Sequence, residues 1–200
     1  MSNSPLKPNE AIQAQVEQLT AEAKKLSGVG KEAQALEVYR KAAELMPGAP
    51  WLQNRTAELA RKLRQPSIAA QYYRRAGAAF IGAGFPKRAL GPLRNAWTLL
   101  VGALPAHPSA FISITLDLAE LQRELGFPAD GALSITSANE ELRAAGCVER
   151  APALSELAPH RDDEPLRASD PSVPPESRVT HRPEADGLGI LARFRLALKS

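Results

Sequence analysis

Aromatic side chains make up only 5 % of this chain, against 44 % hydrophobic residues overall. The interior must therefore be filled by aliphatic and small side chains, and a large aromatic-lined ligand pocket is not expected. Cysteine is nearly absent, Cys147 being the single one, which excludes an internal disulfide and leads us to expect a reducing, cytoplasmic setting. The three histidines, His107, His160 and His181, are scattered, so with one cysteine no Cys/His zinc set is available. The opening residues MSNSPLKPNE lack the apolar stretch of a secretory leader, and no run approaches the ~20 apolar residues that span a bilayer. No metal and no cofactor is expected.

Catalytic groupings are missing as well. His107 stands between Ala106 and Pro108 in a connector with no acid close in sequence, and no Ser/His/Asp, Cys/His or paired-carboxylate arrangement is visible. The stretch SGVGK at residues 27–31 looks like the end of a phosphate-binding loop. Glu32 follows, however, where a magnesium-binding Ser or Thr is needed, and no strand precedes it. It reads as a turn between helices, and the chain as not an enzyme.

What the chain does have is repetition. Ala35, Tyr39 and Ala42 in EAQALEVYRKAA recur as Ala69, Tyr73 and Ala76 in PSIAAQYYRRAG, 34 residues on, which is the period of stacked helical hairpins. Further along, GFPKRALGPLRNA from Gly84 and GFPADGALSITSA from Gly126 match at 42 residues, sharing Gly-Phe-Pro, an aliphatic (Leu93, Ile135) and an alanine (Ala96, Ala138). Apolar spacing and Pro/Gly punctuation predict seven helices, over 9–25, 31–46, 50–64, 67–81, 86–103, 108–125 and 128–145. The first turns Ile12, Val16, Leu19, Ala23 and Leu26 inward, the second Ala35, Leu36, Tyr39, Ala42, Ala43 and Leu45, and the third Leu52, Ala57, Leu59, Ala60 and Leu63. Ala69 to Ala89 is only 20 residues, so the fourth helix must close one hairpin and open the next. Pro92 falls inside the fifth helix, where it costs about 3 kcal/mol or forces a kink. The recurring alanines suit close helix crossings, with the tyrosines and aliphatics filling the space one turn away.

These residues carry the pattern of the tetratricopeptide-repeat family, which the chain resembles over about residues 15–146. The turn Gly30, small Ala35, aromatic Tyr39, small Ala42 and closing Pro47 match, as do Ala69, Tyr73 and Ala76, and less completely Gly126 and Ala138. Arg64 replaces a turn glycine, Gly131 replaces a small alanine, and the opening Trp-Leu-Gly-Tyr set is reduced to Gly77 and Phe80. The order of helices is also similar to the helical N-terminal regions of some bacterial signalling proteins, and seventeen Arg against eight Lys fits a GC-rich bacterial genome. The resemblance implies an all-α fold, a right-handed α-solenoid of about seven antiparallel helices followed by a disordered tail, and a protein-interaction groove in place of a catalytic site. Lys24, Arg55 and Arg75 lie near the places where heat-shock-chaperone adaptors of the family clamp a terminal carboxylate. The paired asparagines of that clamp are missing, so its specificity does not carry over.

Charge is uneven beneath the net +3. Residues 55–94 hold Arg55, Arg61, Lys62, Arg64, Arg74, Arg75, Lys87, Arg88 and Arg94 against the single acid Glu58. A solvated face is one reading; a basic groove over residues 50–80 that binds a partner protein or acidic peptide through Asn54, Arg55, Arg61, Lys62 and Arg75 is the functional one. Nucleic acid is the less favoured partner, because Tyr73 is a repeat position expected in the core and Tyr72 alone makes a poor stacking platform.

The expected organisation is a disordered N-terminus (1–8), a helical domain (9–146), a flexible linker rich in Pro and acids (147–186) and a short basic amphipathic segment (187–200). Residues 151–186 carry eight acids against four Arg and too few large apolar groups to offset the entropy of ordering. In the last segment Leu188, Ile190, Leu191, Phe194 and Leu198 are candidate docking residues, for a partner, a membrane surface or the exposed face of the last repeat. The functional expectation is a non-catalytic adaptor, with an anionic-surface binder and a secretion chaperone as alternatives.

Overall fold

A computed structural model describes residues 8–147. The expected N-terminal tail, almost all of the linker, and Leu188, Ile190, Leu191, Phe194 and Leu198 lie outside the described residues. Those described form seven α-helices and no strand: α1 (Pro8–Gly28), α2 (Glu32–Leu45), α3 (Pro50–Lys62), α4 (Pro66–Gly82), α5 (Pro86–Val101), α6 (Pro108–Glu124) and α7 (Pro128–Ala144).

The punctuation has a local cause. Helices α3 to α7 each start on a proline in the first turn, where the missing N–H would have had no partner and φ is already helical. Helices α1, α3, α4, α6 and α7 are followed by a residue of positive φ, at Gly30, Arg64, Gly84, Gly126 and Gly146. The next amide then reaches back five residues: Lys31 donates to the Leu26 carbonyl, Gln65 to Ala60, Phe85 to Phe80, Phe127 to Gln122 and Cys147 to Leu142. This closure satisfies carbonyls that a helix end leaves open. The repeated Gly-Phe-Pro is thus a stop followed by a start, and Arg64-Gln65-Pro66 does the same with an arginine at the strained position. SGVGK is the first of these turns. Pro92 lies within α5, which runs helical on both sides of it.

Each helix packs against its chain neighbours, and the contacts fix the direction. Late α3 meets early α2 through the Lys62–Glu32 ion pair. Late α5 meets early α6, where the Trp97 indole donates to the Thr115 hydroxyl at 3.1 Å and Trp97 lies 5.4 Å from Phe111. Early α7 meets late α6. Consecutive helices are therefore antiparallel. Two polar interactions skip a helix: the Arg40 guanidinium of α2 is held more firmly protonated by Tyr72 of α4, and Arg74 of α4 pairs with Asp117 of α6. They bring α2, α4 and α6 into one row.

The core runs along the stack, with the repeat alanines Ala35, Ala42, Ala69, Ala76, Ala89, Ala96 and Ala138 fully buried. Gly131 is where an alanine would not fit: a Cβ there would lie 2.8 Å from the Ala119 carbonyl oxygen, so this departure from the repeat is set by the close approach of α6 and α7. Two expected inward residues are corrected. Ile12, in the first turns of α1, is 37 % exposed and Leu45, the last residue of α2, is 36 % exposed, because the terminal turns overhang the neighbouring helix. Gln53 goes the other way. It is fully buried in α3, its amide nitrogen donating to the Ala43 carbonyl at 2.9 Å and that of Pro47 at 3.3 Å, which ties the end of α2 to the start of α3.

Candidate binding grooves flanking α3

Two grooves run along α3, one on each side. The smaller, about 360 Å³, lies between the end of α1, α2 and α3, and is lined by Ser27, Glu32, Tyr39, Arg55, Glu58, Leu59, Arg61 and Lys62. The larger, about 740 Å³, lies between α3, α4 and α5, lined by Glu58, Arg61, Arg64, Pro66, Tyr73, Asn95, Thr98 and Leu99 with Gly102 and Ala103 at its end. Tyr39 contributes to one and Tyr73 to the other, so the 34-residue repeat makes equivalent grooves, and α3 is their common wall.

Arg55, Glu58 and Arg61 form a column on α3 because residues three apart share a helix face. Each arginine serves a different repeat tyrosine. Arg55 interacts with the Tyr39 hydroxyl, the main reason its guanidinium is held more firmly protonated than usual, and it pairs with Glu58 at 3.4 Å. Arg61 acts on Tyr73; burial raises the Tyr73 phenol above its ordinary 10.0, with Arg61 opposing that rise and Glu58 adding to it. The rings themselves are almost wholly covered, so they build the floors while the arginines present charge.

The cations differ in how far they are already committed. Lys62 is paired with Glu32, and Arg55 with Glu58. Among the described residues neither Arg61 nor Arg64 has a carboxylate in ion-pairing range, and both are exposed. The larger groove therefore has two guanidiniums without a carboxylate partner in its lining, together with the polar Asn95 and Thr98. This arrangement suits carboxylates, which accept the paired N–H donors of guanidinium.

Of the residues singled out from sequence, Arg55, Arg61 and Lys62 come together in the smaller groove and Arg61 also lines the larger. Asn54 is half-buried and lines neither groove. Arg75 is separate, its guanidinium 5.1 Å from the centre of the Tyr72 ring, a cation–π contact that engages it within α4. Tyr72 is buried, so it offers no ring for base stacking. Sequence reasoning counted Arg64 among the basic residues and as the replacement of a turn glycine but not among the binding residues, and it passed over Asn95 and Thr98. Arg64 could have been found as the charged residue at the repeat position of Gly30; Asn95 and Thr98 are recognisable only once α5 is seen beside α3.

Among the described residues no group of three or more His, Cys, Asp and Glu could hold a metal ion, and no helix is long and apolar enough to cross a membrane. The chain matches no family model and no curated protein sequence.

Proposed function

We propose that this chain is a non-catalytic adaptor that holds a partner protein by an acidic segment laid along α3. The single observation that carries the reading is the tandem pair of grooves, each built on a repeat tyrosine and sharing Arg61. We read the stack as a right-handed solenoid of the tetratricopeptide type, working in the cytoplasm. Its mechanism is positioning: α3 and the turn after it offer Arg55, Arg61, Lys62 and Arg64 along the two grooves, and the apolar, basic segment 187–200 supplies a second attachment that raises effective concentration. Exposed charge contacts are individually worth only ~0.2–1 kcal/mol, so affinity comes from several at once and falls as salt screens them.

The test is affinity capture from the native cell with the full chain and with R61E/K62E as baits. The expected result is a defined partner protein retained by the full chain and lost with the reversal. Material that is sensitive to nuclease, or that survives the reversal unchanged, would overturn the groove reading. A single dominant exported client would identify a secretion chaperone instead.

A further inference from the structure

We infer that the acidic stretch 156–170 of this same chain is the resident occupant of the larger groove, bound to Arg61 and Arg64, and that a partner must displace it. The inference rests on the adaptor reading of that groove and adds its regulation.

Charge selects the groove. Arg61 and Arg64 line it without a carboxylate partner among the described residues, and Glu58 is the only acid in its wall. The stretch 156–170 brings Glu156, Asp162, Asp163, Glu164 and Asp170 against Arg161 and Arg167, with Asp162, Asp163 and Glu164 consecutive.

Topology brings the two to one edge. Because consecutive helices are antiparallel, the C-terminal ends of α1, α3, α5 and α7 share an edge. That edge carries Arg61 and Arg64 from α3 and the Gly102–Ala103 mouth of the groove from α5. The described chain also leaves there, at Cys147 just past α7. Four helix-to-helix steps of ~8–10 Å separate α7 from α3 along the stack, roughly 40 Å at most. Asp162 lies 15 residues beyond Cys147, which is ~50 Å fully extended and ~21 Å as a flexible coil's mean span. The carboxylates can therefore reach the arginines.

Tethering makes a weak contact matter. A tether long enough to span the distance holds its ligand at an effective concentration of up to about 1 mM. A segment whose own Kd is about 1 mM would then occupy half of the grooves and weaken a competitor ~2-fold; at about 0.1 mM the factor becomes ~10-fold.

The experiment titrates a fluorescein-labelled peptide of residues 156–170 into the full chain, into full-length D162N/D163N/E164Q, and into that variant carrying R61E/R64E as well. The expected result is binding to D162N/D163N/E164Q about 2- to 10-fold tighter than to the unaltered chain, lost with R61E/R64E. The difference should shrink towards unity in 1 M salt, where the screening length is ~3 Å. R61Q/R64G, which relieves the backbone at residue 64, must show the same loss, separating charge from folding. Equal affinities for the unaltered and neutralised chains overturn the inference, as does failure of the peptide to bind the neutralised chain. Cell capture that still depends on Arg61 would in either case leave the adaptor reading standing, whereas capture indifferent to Arg61 removes both.

Discussion

Arg64 sits at φ 56°, in the left-handed region that costs a side chain ~1–2 kcal/mol, at a turn where four equivalent positions are glycine. Replacing it with glycine removes that cost but adds ~0.5–1 kcal/mol of unfolded-state entropy. Arg64→Gly should therefore stabilise the chain by roughly 0.5–1 kcal/mol, a rise in thermal midpoint of about 1–4 °C, while weakening acidic ligands. Thermal unfolding and peptide titration of the same variant check both halves; a drop in midpoint would show that the side chain contributes packing. The retention of arginine at a strained position beside the groove is what a binding role predicts. Tyr73 gives the pH dependence. Its phenol is raised by burial, so the folded state keeps a proton that the unfolded chain releases near pH 10. The associated stability is complete below about pH 10 and is lost as pH rises through the raised folded value. Urea midpoints measured between pH 9 and 11 should fall less steeply in Tyr73→Phe than in the unaltered chain.

At the scale of the element, the helices were legible because their apolar spacing and their stop and start residues agree. The expected starts at Pro50, Pro86, Pro108 and Pro128 coincide with the observed helices. The expected double role of the fourth helix corresponds to α4 packing extensively on both α3 and α5. What pattern could not supply was the separation between helices. Gly91 and Gly131 look alike in sequence as glycines within a helix, yet a Cβ on Gly91 meets nothing within 4 Å and one on Gly131 meets the Ala119 carbonyl oxygen at 2.8 Å. Gly131→Ala should accordingly destabilise by about 1–3 kcal/mol through overpacking, whereas at Gly91→Ala a gain of about 0.5–1 kcal/mol in helix propensity is set against crowding of the new Cβ on the following Pro92 ring, so its effect should be clearly the smaller. Chemical denaturation of the two single variants tests the contrast, and a loss at Gly91 as large as that at Gly131 would refute the packing argument. Gln53 was illegible for the same reason: nothing in PWLQNRT says that one amide turns in to hold carbonyls at the end of α2.

For the whole molecule, a stack in which each helix leans mainly on its neighbours divides its stability unevenly. Helix α4 is bounded by α3 and α5, reaches α2 through Tyr72 and Arg40, and reaches α6 through Arg74 and Asp117. Helices α1 and α7 each have one chain neighbour. Amide hydrogen exchange should therefore be slowest in α4 and fastest in the outer turns of α1 and α7; uniform protection from α1 to α7 would mean that the stack unfolds as one unit. The exposed positions of α7, the last described helix, include Asp130, Thr136, Glu140 and Arg143, with Leu133 the large apolar exception.

The amino-acid sequence by itself determined the number of helices, their punctuation and most of the inward faces. Those are local properties, written in 3.6-residue spacing, first-turn prolines and turn glycines. It also marked residues 55–94 as basic. Only the tertiary structure decided which of those charges work together. Lys62 and Arg55 are paired with Glu32 and Glu58, Arg75 lies over its own helix's Tyr72, and Arg61 and Arg64 line one groove with Asn95 and Thr98. The physical reason is that a groove is a relation between helices distant in the chain, set by how closely small residues let them approach, and that relation has no period to read.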